Sequence, residues 1–519
     1  MSDVHVKPGP VSTPPPAIRL CDIIAEIPGA TLAPGFAYAA RSVVTGVHHD
    51  SRQVAPGDVF VARDGEKVSG VQFIPQAVER GALAVIVKAG TKVDAQGAAV
   101  IYVDDVALAL ALASAAVYGH PTFGLEVIGI TGTNGKTTTL HLLRNLLEEA
   151  GFRPGTVGTL GISFDSQSRP SAFTSPEADE LARIARAMRD RSASHLIMEV
   201  SSIALVAKRC DAIRFRVAVF TNLTQDHLDY HGSMENYAAA KARLFEEFAP
   251  GAAVLNIDDA FGRELTGRVA QGTSVRTYST KDAKADVFAS SLGMSSQGLR
   301  MVVESRGESL VIETPLLGAH NAENLLAAAS VALELGIPTR TIESALSRPI
   351  VVAGRLERCD DPKLDDVSVV VDYAHTPDAL QRALSSLRPF ATAGLICVFG
   401  CGGDRDKAKR PLMGRVVAEL ADHGILTNDN PRSERPEDIA EAVLPGLSVG
   451  PAKYRVLLDR RSAIREAVLS APPGAVVLLA GKGHEPYQII GSETLPFDDR
   501  IEARAALAER RQERQGQRP

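Results

Sequence analysis

ITGTNGKTTT, residues 130–139, is the stretch from which the rest of the chain is best read. It follows LEVIGI (125–130), a short apolar run rich in β-branched residues. It opens a helical pattern over 137–150 that Gly151 closes in the C-cap role. A glycine-rich turn between strand and helix lets backbone N–H groups approach an anion closely, and the helix N-terminus adds positive potential. Lys136 can then reach outer phosphates, and the Thr137 hydroxyl can ligate Mg2+. The spacing is not the common GxxxxGK[ST]: Gly132 and Gly135 are three apart, and Ile130 stands five before Gly135. The plainer reading, a glycine turn with a surface lysine, does not account for strand, GK-T and helix together. The stretch therefore predicts a nucleotide-binding loop. A phosphate loop alone names no reaction, so a nucleotide-dependent switch or binding module stays open beside an enzyme, and converging catalytic groups decide between them.

Outward from this loop, RVAVF (216–220), VSVVV (367–371), LICVF (395–399) and AVVLLA (475–480) alternate with helical patterns. Such runs read as strands buried on both faces, the parallel-sheet signature of α/β domains. At roughly 150 residues per domain, 519 residues make three to four domains. The breaks expected are a proline-rich floppy tail over 1–17, then α/β units at 18–104, 105–350 and 351–519. The first is smaller and its sheet more mixed. The chain ends in AERRQERQGQRP, a solvated helix end running into a charged tail. Lys+Arg 56 against Asp+Glu 62 leaves no basic excess to advertise nucleic acid, and the absence of Trp weakens any base-stacking platform. The longest apolar stretch, 107–118, is interrupted by Ser114 and falls short of the ~18 residues of a membrane span. The N-terminus lacks the apolar core of a secretory signal. Five scattered cysteines, Cys21, Cys210, Cys359, Cys397 and Cys401, form no disulfide framework. The expectation is a soluble cytoplasmic protein.

Two further strand ends carry chemistry. MEVSS places Glu199 beyond an apolar run, and FTNLTQDHLDYHG (220–232) places Asp226 and His227 beyond RVAVF. In a parallel sheet, polar groups at the carboxyl ends of neighbouring strands face one crevice. Phosphoryl transfer needs divalent cations, and carboxylates or histidine to hold them; Glu199 and His227 are read in that role. His227 and His231 are four apart, but HLDYH has no Glu after the first His, so the metalloprotease reading fails and His231 is read as a loop hydrogen-bonder.

In order along the chain stand TGTNGKTTT, EVSS, TNLTQDHLDYHG, GAHNAEN (318–324), GRLE (354–357), VDYAHTPDAL (371–380), FGCGGDRDKAKRPLMG (399–414), DNPR (429–432) and AGKGHE (480–485). Together they resemble the Mur ligases, and within them the branch that adds the third peptide residue to UDP-N-acetylmuramoyl-L-alanyl-D-glutamate. The likeness runs from Asp50 to Arg500; TGTNGKT alone is shared with folylpolyglutamate synthases, whereas GCGGDRDKAKRP with DNPR is far more specific. It implies an N-terminal domain for the UDP-substrate, a central P-loop ATPase domain with a mostly parallel sheet, and a C-terminal Rossmann-like domain for the amino acid. It also implies ATP and Mg2+ as cofactors, small-molecule substrates and a monomer.

Residue by residue, the resemblance assigns ATP to Gly132, Thr133, Asn134, Gly135, Lys136, Thr137, Thr138, Asn321, Arg355 and Asp372. Thr137 and Glu199 would ligate one Mg2+ and His227 would help hold a second. Lys241, in YAAAKARLF, stands where the family carries a carbamylated lysine; without the resemblance it is an ordinary helix-face lysine. Lys136, Lys241 and His227 form the implied catalytic set. The UDP-substrate falls to Ser51, Thr174, Ser175, Ser201 and Arg209, with a uridine-contacting loop at 66–68. Four departures from the family lie here: Ile203 for a frequent histidine, Ala207 for a frequent glutamine, Thr174-Ser175 for a Thr-Thr pair (which keeps both hydroxyls), and VSGVQFI (68–74) for a DGHxFI-like stretch. The implied amino-acid set is Arg405, Asp429, Asn430, Pro431, Arg432, Gly481 and Glu485.

Meso-diaminopimelate differs from lysine by a distal carboxylate, which an arginine fork binds bidentately. Arg432 is that candidate, and lysine-adding relatives lack an arginine there. Taken alone, Asn-Pro-Arg reads as a turn with a solvated arginine. GCGGDR is not GxGxxG, because Arg405 takes the last position, and Cys401 lacks the His/Asn arrangement of a nucleophile. A lysine-adding homologue and a folylpolyglutamate synthase remain the alternatives within the class.

Overall fold

The computed structural model describes residues 17–65, 68–295 and 297–516. The tail expected over 1–17 lies outside these except for Ala17, and so do Glu66 and Lys67 of the expected uridine loop. Three main sheets follow one another along the chain. The first has five strands in the order Thr31–Leu32, Ala99–Val103, Ala84–Lys88, Val59–Val61, Val47–His48, parallel except for the first pair. Helix Val106–Val117 fills its core with Leu110, Ala113 and Val117 against Val44, Val47 and Ile101. The helix is apolar almost all round because Ala178 and Ala182 of the next unit pack on it as well.

The central sheet has eleven strands, in the order Gln167–Arg169, Gly161–Phe164, Pro154–Gly158, His195–Glu199, Glu126–Thr131, Val217–Phe220, Ala252–Asn256, Ser274–Ser279, Val287–Ser295, Gly298–Ser305, Glu308–Thr314. From Pro154–Gly158 through Val287–Ser295 every pairing is parallel; the strands at both ends are antiparallel. The last edge is blunted by helix Thr339–Ser347: Val311 N donates to Glu343 Oε2 at 3.0 Å and Glu313 N to Ser347 Oγ at 3.2 Å. The third sheet runs Glu357–Arg358, Ser368–Asp372, Val476–Ala480, Leu395–Phe399, His423–Leu426, Lys453–Val456, parallel after its first pair. The apolar runs singled out above are strands within a residue or two of their expected limits. Their residues are buried because helices cover both faces of each sheet.

Candidate functional site

Strand Glu126–Thr131 lies between His195–Glu199 and Val217–Phe220, with Glu199 in register with Ile130 and Phe220 with Thr131. Three strand ends therefore open into one crevice, a cleft of about 220 Å3. Its floor is the phosphate loop, which leads into helix Lys136–Glu149. Gly132 (φ +148°) and Gly135 (φ +87°) are required by contact as well as by backbone. A Cβ on Gly132 would stand 1.8 Å from Thr221 Oγ1, and one on Gly135 would stand 2.3 Å from Asn324 Oδ1.

The side chains converge at the helix start. Thr137 Oγ1 donates to Glu199 Oε1 at 3.0 Å and accepts from Arg355 Nη2 at 3.1 Å. Glu199 also takes Thr159 N at 2.9 Å and Thr159 Oγ1 at 3.0 Å, so the strand-end carboxylate is fixed from two loops. Lys136 Nζ donates to Gly132 O and Thr133 O, each at 2.8 Å. The Lys241 ammonium is buried, bonds Gly132 O at 2.9 Å and lies 4.4 Å from the Tyr237 ring centroid. Burial, reinforced by the Lys136 charge, lowers the Lys241 pKa well below the usual lysine range, and burial lowers that of Lys136 too. A lysine poised towards its neutral amine is a nucleophile for CO2, which fits the carbamate expected there.

Asp226 and His227 follow on the neighbouring loop, with His227 at φ +53° and its Nε2 3.4 Å from Asp226 Oδ2. Burial lowers the His227 pKa. That of Asp226 stays low despite burial, because His227 and His375 face it. The hydroxyl of Thr137 touching the carboxylate of Glu199 supplies hard oxygen donors suited to Mg2+, which keeps water and phosphate oxygens as its remaining ligands. Thr133, Asn134, Thr138, Thr174, Ser201 and Asp372 also line the cleft. Asp372 accepts Leu356 N at 2.7 Å and Ala374 N at 2.8 Å, and burial raises its pKa. The Arg355 guanidinium lies 4.7 Å from the Tyr373 ring centroid, and its buried Nε has no hydrogen-bond partner, an unmet donor beside the phosphate loop.

Some expected residues lie elsewhere. Asn321 does not reach the cleft: its amide donates to Leu317 O at 2.7 Å and its Oδ1 accepts from Asn324. Asn324, one helical turn on, is the asparagine that lines the cleft, and the same GAHNAEN helix brings His320 and Glu323 with it. The second asparagine of that stretch was the sequence signal. Ser51 sits in the first unit, bonded to Gln76 Oε1 at 2.6 Å. Ser175 is buried behind Glu199, donating to its carbonyl at 2.9 Å. Arg209 bonds Ser175 O at 3.0 Å and Glu177 at 2.6 Å, while its buried Nε has no partner.

The amino-acid candidates gather at the carboxyl ends of the third sheet. Asn430 Nδ2 donates to Glu485 Oε2 at 2.8 Å; Arg432 Nη1 donates to Gly403 O at 2.7 Å. A Cβ on Gly402 would meet Arg432 Nη1 at 2.9 Å and Arg405 Cγ at 3.8 Å, so the two arginines flank that glycine. Gly481 (φ +114°) leaves room for Asp429, whose Oδ2 would be 2.9 Å from its Cβ. Pro431 is buried between them in the chain. At the centre stands a residue the sequence reading passed over. Lys482, with no exposed surface, donates to Asn430 Oδ1 at 3.1 Å and Glu485 Oε2 at 3.2 Å, and lies 3.6 Å from Asp429 Oδ1. Burial raises the Glu485 pKa against that lysine.

Residues 43–118 match the Mur ligase family catalytic domain, 130–332 the Mur ligase middle domain, and 354–483 the Mur ligase glutamate ligase domain. A UDP-N-acetylmuramoyl-L-alanyl-D-glutamate--2,6-diaminopimelate ligase of Gloeobacter violaceus is 45% identical over 469 residues, 90% of this chain and 94% of that protein. One of the same name from Synechococcus elongatus is 44% identical over 502 residues, 95% and 99% of the two chains. A solved structure bearing that name superposes with a TM-score of 0.67 at 33% identity, over 95% of this chain and 99% of the other.

Proposed function

The chain belongs to the Mur ligase family, and from that premise we propose that it adds meso-diaminopimelate to UDP-N-acetylmuramoyl-L-alanyl-D-glutamate at the expense of ATP, a step of peptidoglycan precursor synthesis. One observation carries the reading most. Arg355, from the segment leading into the third sheet, reaches Thr137 at the phosphate loop, so a single cleft joins the nucleotide loop to the unit that holds Arg432.

The chemistry follows from the residues. A carboxylate is a poor electrophile, so the D-glutamyl γ-carboxylate must first attack the γ-phosphorus of ATP, breaking its bond to the β,γ-bridging oxygen, releasing ADP and becoming an acyl phosphate. The amine of the incoming amino acid then attacks that carbonyl and phosphate leaves. The protein contributes position and charge neutralisation. Lys136 and Arg355 direct positive charge at the transferred phosphoryl group, and the backbone N–H groups of 132–138 orient it. Thr137 and Glu199 would hold Mg2+, with His227 and a carbamate on Lys241 at a second cation. Such ions neutralise charge developing on phosphate oxygens. Thr174, Ser201 and Arg209 face the acceptor peptide, and Arg432 with Arg405 takes the distal carboxylate of the amino acid. Asp429, Asn430 and Glu485 hold its other polar end.

We divide the chain into UDP-substrate, ATP and amino-acid units. The first break is set after helix Val106–Val117 rather than at 104, because that helix fills the first sheet's core. A monomer working in the cytoplasm completes the reading; no helix among the described residues is long and apolar enough to cross a membrane. The test is phosphate release by the purified protein with ATP, Mg2+ and UDP-N-acetylmuramoyl-L-alanyl-D-glutamate, with meso-diaminopimelate, L-lysine or no amino acid. Release with meso-diaminopimelate alone is expected. Release with lysine sinks the specificity, and release with neither sinks the ligase reading.

A further inference from the structure

We propose that Asp378 is a positioning residue that seats the amino-acid unit on the phosphate loop. Asp378 lies in the first turn of helix Pro377–Leu387, which Thr376 caps by accepting Ala379 N at 3.3 Å. One oxygen, Asp378 Oδ2, accepts from Asn134 Nδ2 at 2.9 Å, Thr224 Oγ1 at 3.1 Å and Arg382 Nε at 3.0 Å. Two of these donors belong to the central unit, Asn134 in the phosphate loop itself and Thr224 in the loop that follows strand Val217–Phe220. The third comes from the helix of Asp378 itself.

Those two loops are already laced together. Thr224 N donates to Thr133 Oγ1 at 3.0 Å, and Asn134 N donates to Asn222 Oδ1 at 2.9 Å. Asp378 grips this joint from the opposite unit with its strongest acceptor, a carboxylate oxygen. Arg382 keeps that carboxylate compensated and also lies 3.7 Å from Glu323 of the central unit. Six residues upstream, on the same segment, Asp372 holds Leu356 N, and Tyr373 carries the Arg355 guanidinium. Where Asp378 docks therefore decides where Arg355 stands over Thr137. A misplacement of about 1 Å at such a group costs on the order of 100-fold in rate. Asp378 touches neither the amino acid nor the peptide candidates, so its effect falls on closure and turnover rather than on their binding.

The rate arm of this proposal rests on the ligase reading, and its geometric arm does not. In the full-length protein, nitroxides placed at exposed Glu235 and Gln381 report the separation of the two units by pulsed electron resonance with a non-hydrolysable ATP analogue. The wild type is expected to give one narrow distance. Asp378→Ala broadens it towards longer separations and lowers kcat about 30-fold or more, with the KM for the UDP-substrate within about twofold. Asp378→Asn, which keeps an acceptor oxygen for Asn134 and Thr224, restores the narrow distance and brings kcat within about threefold of the wild type. An unchanged distance in Asp378→Ala overturns the proposal. So does an Asn variant as impaired as Ala, because the ion pair with Arg382 alone would then carry the effect. If Asp378→Ala does not fold, Thr224→Val removes one donor and is expected to broaden the distance with about a fivefold loss of kcat; an unchanged distance there overturns it equally. A wild type without ligase turnover that still closes through Asp378 refutes only the ligase reading.

Discussion

The nucleotide end and the amino-acid end of this molecule are built from different materials. At the nucleotide end the backbone does most of the shaping: two glycines with positive φ, packed so that a Cβ would collide with Thr221 or Asn324, fold a loop of N–H groups around an anion. At the amino-acid end buried charges do it. Lys482 has no exposed surface and sits among Asp429, Asn430 and Glu485. Behind it Arg460 and Asp499, both fully buried, pair at 2.6 Å, and the same guanidinium takes Asn428 O at 3.2 Å and Ala480 O at 3.0 Å, the carbonyls just before Asp429 and Gly481. Buried ion pairs cost desolvation, and removing one partner is far more damaging than never having had the pair. Here they fix the two loops that a ligand carrying ammonium and carboxylate groups would have to meet. On the reading proposed above, a polyanion would meet backbone donors and a lysine, and a zwitterion would meet fixed charges of both signs.

The two ends should fail differently. Lys136→Ala is expected to have the largest effect, a loss of about 1,000-fold or more in phosphate release, because the cation facing the transferred group is gone. Calorimetric titration should still show binding of the UDP-substrate; loss of both would mean that the nucleotide end is not separable from the rest. Gly354→Ala tests the joint between the ends. Gly354 has φ +64°, and its Cβ would stand 2.2 Å from His484 N, so the GRLE loop carrying Arg355 rests directly on the AGKGHE turn carrying Lys482 and Glu485. The added methyl should raise the KM for ATP and for the amino acid together, with about a 100-fold loss in kcat/KM. A change confined to one substrate would show that the ends are independent.

This difference in material also explains what was legible in the sequence. Glycine geometry and strand-end polar residues are local, so ITGTNGKTTT, EVSS and TNLTQDH suffice to gather Lys136, Thr137, Glu199 and His227 around one cleft, which all four line. The buried runs gave the strands for the same reason. Long-range compensation is not local: nothing near AGKGHE says that Lys482 pairs with a side chain 52 residues earlier, or that Arg460 meets Asp499 39 residues later. Asn321 against Asn324 is a smaller case. Helical spacing puts both near the loop, and only packing decides that Asn321 turns back to Leu317 O while Asn324 lines the cleft. Helix Val106–Val117 is a case at the scale of whole units: its apolar surface packs on the first sheet on one side and on Ala178 and Ala182 on the other, so its composition alone does not say which unit it belongs to.

Arg432→Ala should separate the ends cleanly and more mildly. Its Nη1 is engaged by Gly403 O, and Gly402 leaves space for the fork beside Arg405. Losing a charge-assisted contact of about 2 kcal/mol should raise the KM for meso-diaminopimelate about 30-fold and leave that for ATP within about twofold. Steady-state kinetics with each substrate varied decides this. An equal rise in both would make Arg432 a structural residue of the loop.

Acid should give the smallest and most regional effect. Burial holds the imidazoles of His320 and His375 at the nucleotide end, and of His484 at the amino-acid end, at about 4. Unfolded, each would titrate near 6.5, so the unfolded chain binds those protons more readily. The stability tied to them is complete above about pH 6.5 and is lost as the pH falls towards 4. His49 has the opposite sign. Burial works against its charge, yet the Asp179 carboxylate at 2.9 Å keeps its pKa above the usual value, so its contribution is complete below about pH 6.5 and lost as the pH rises through that raised pKa. That pair ties the first unit to helix Ala178–Asp190 of the central one. On moving from pH 8 to 5, amide protection, taken relative to the intrinsic exchange rate at each pH, should therefore fall several-fold in 319–334, 372–387 and 481–485. Around 47–50 and at the start of helix Ala178–Asp190 it should hold or rise. A uniform fall in protection across all of these segments would mean that the three buried histidines and His49 do not oppose one another, and that acid acts on the molecule as a single unit.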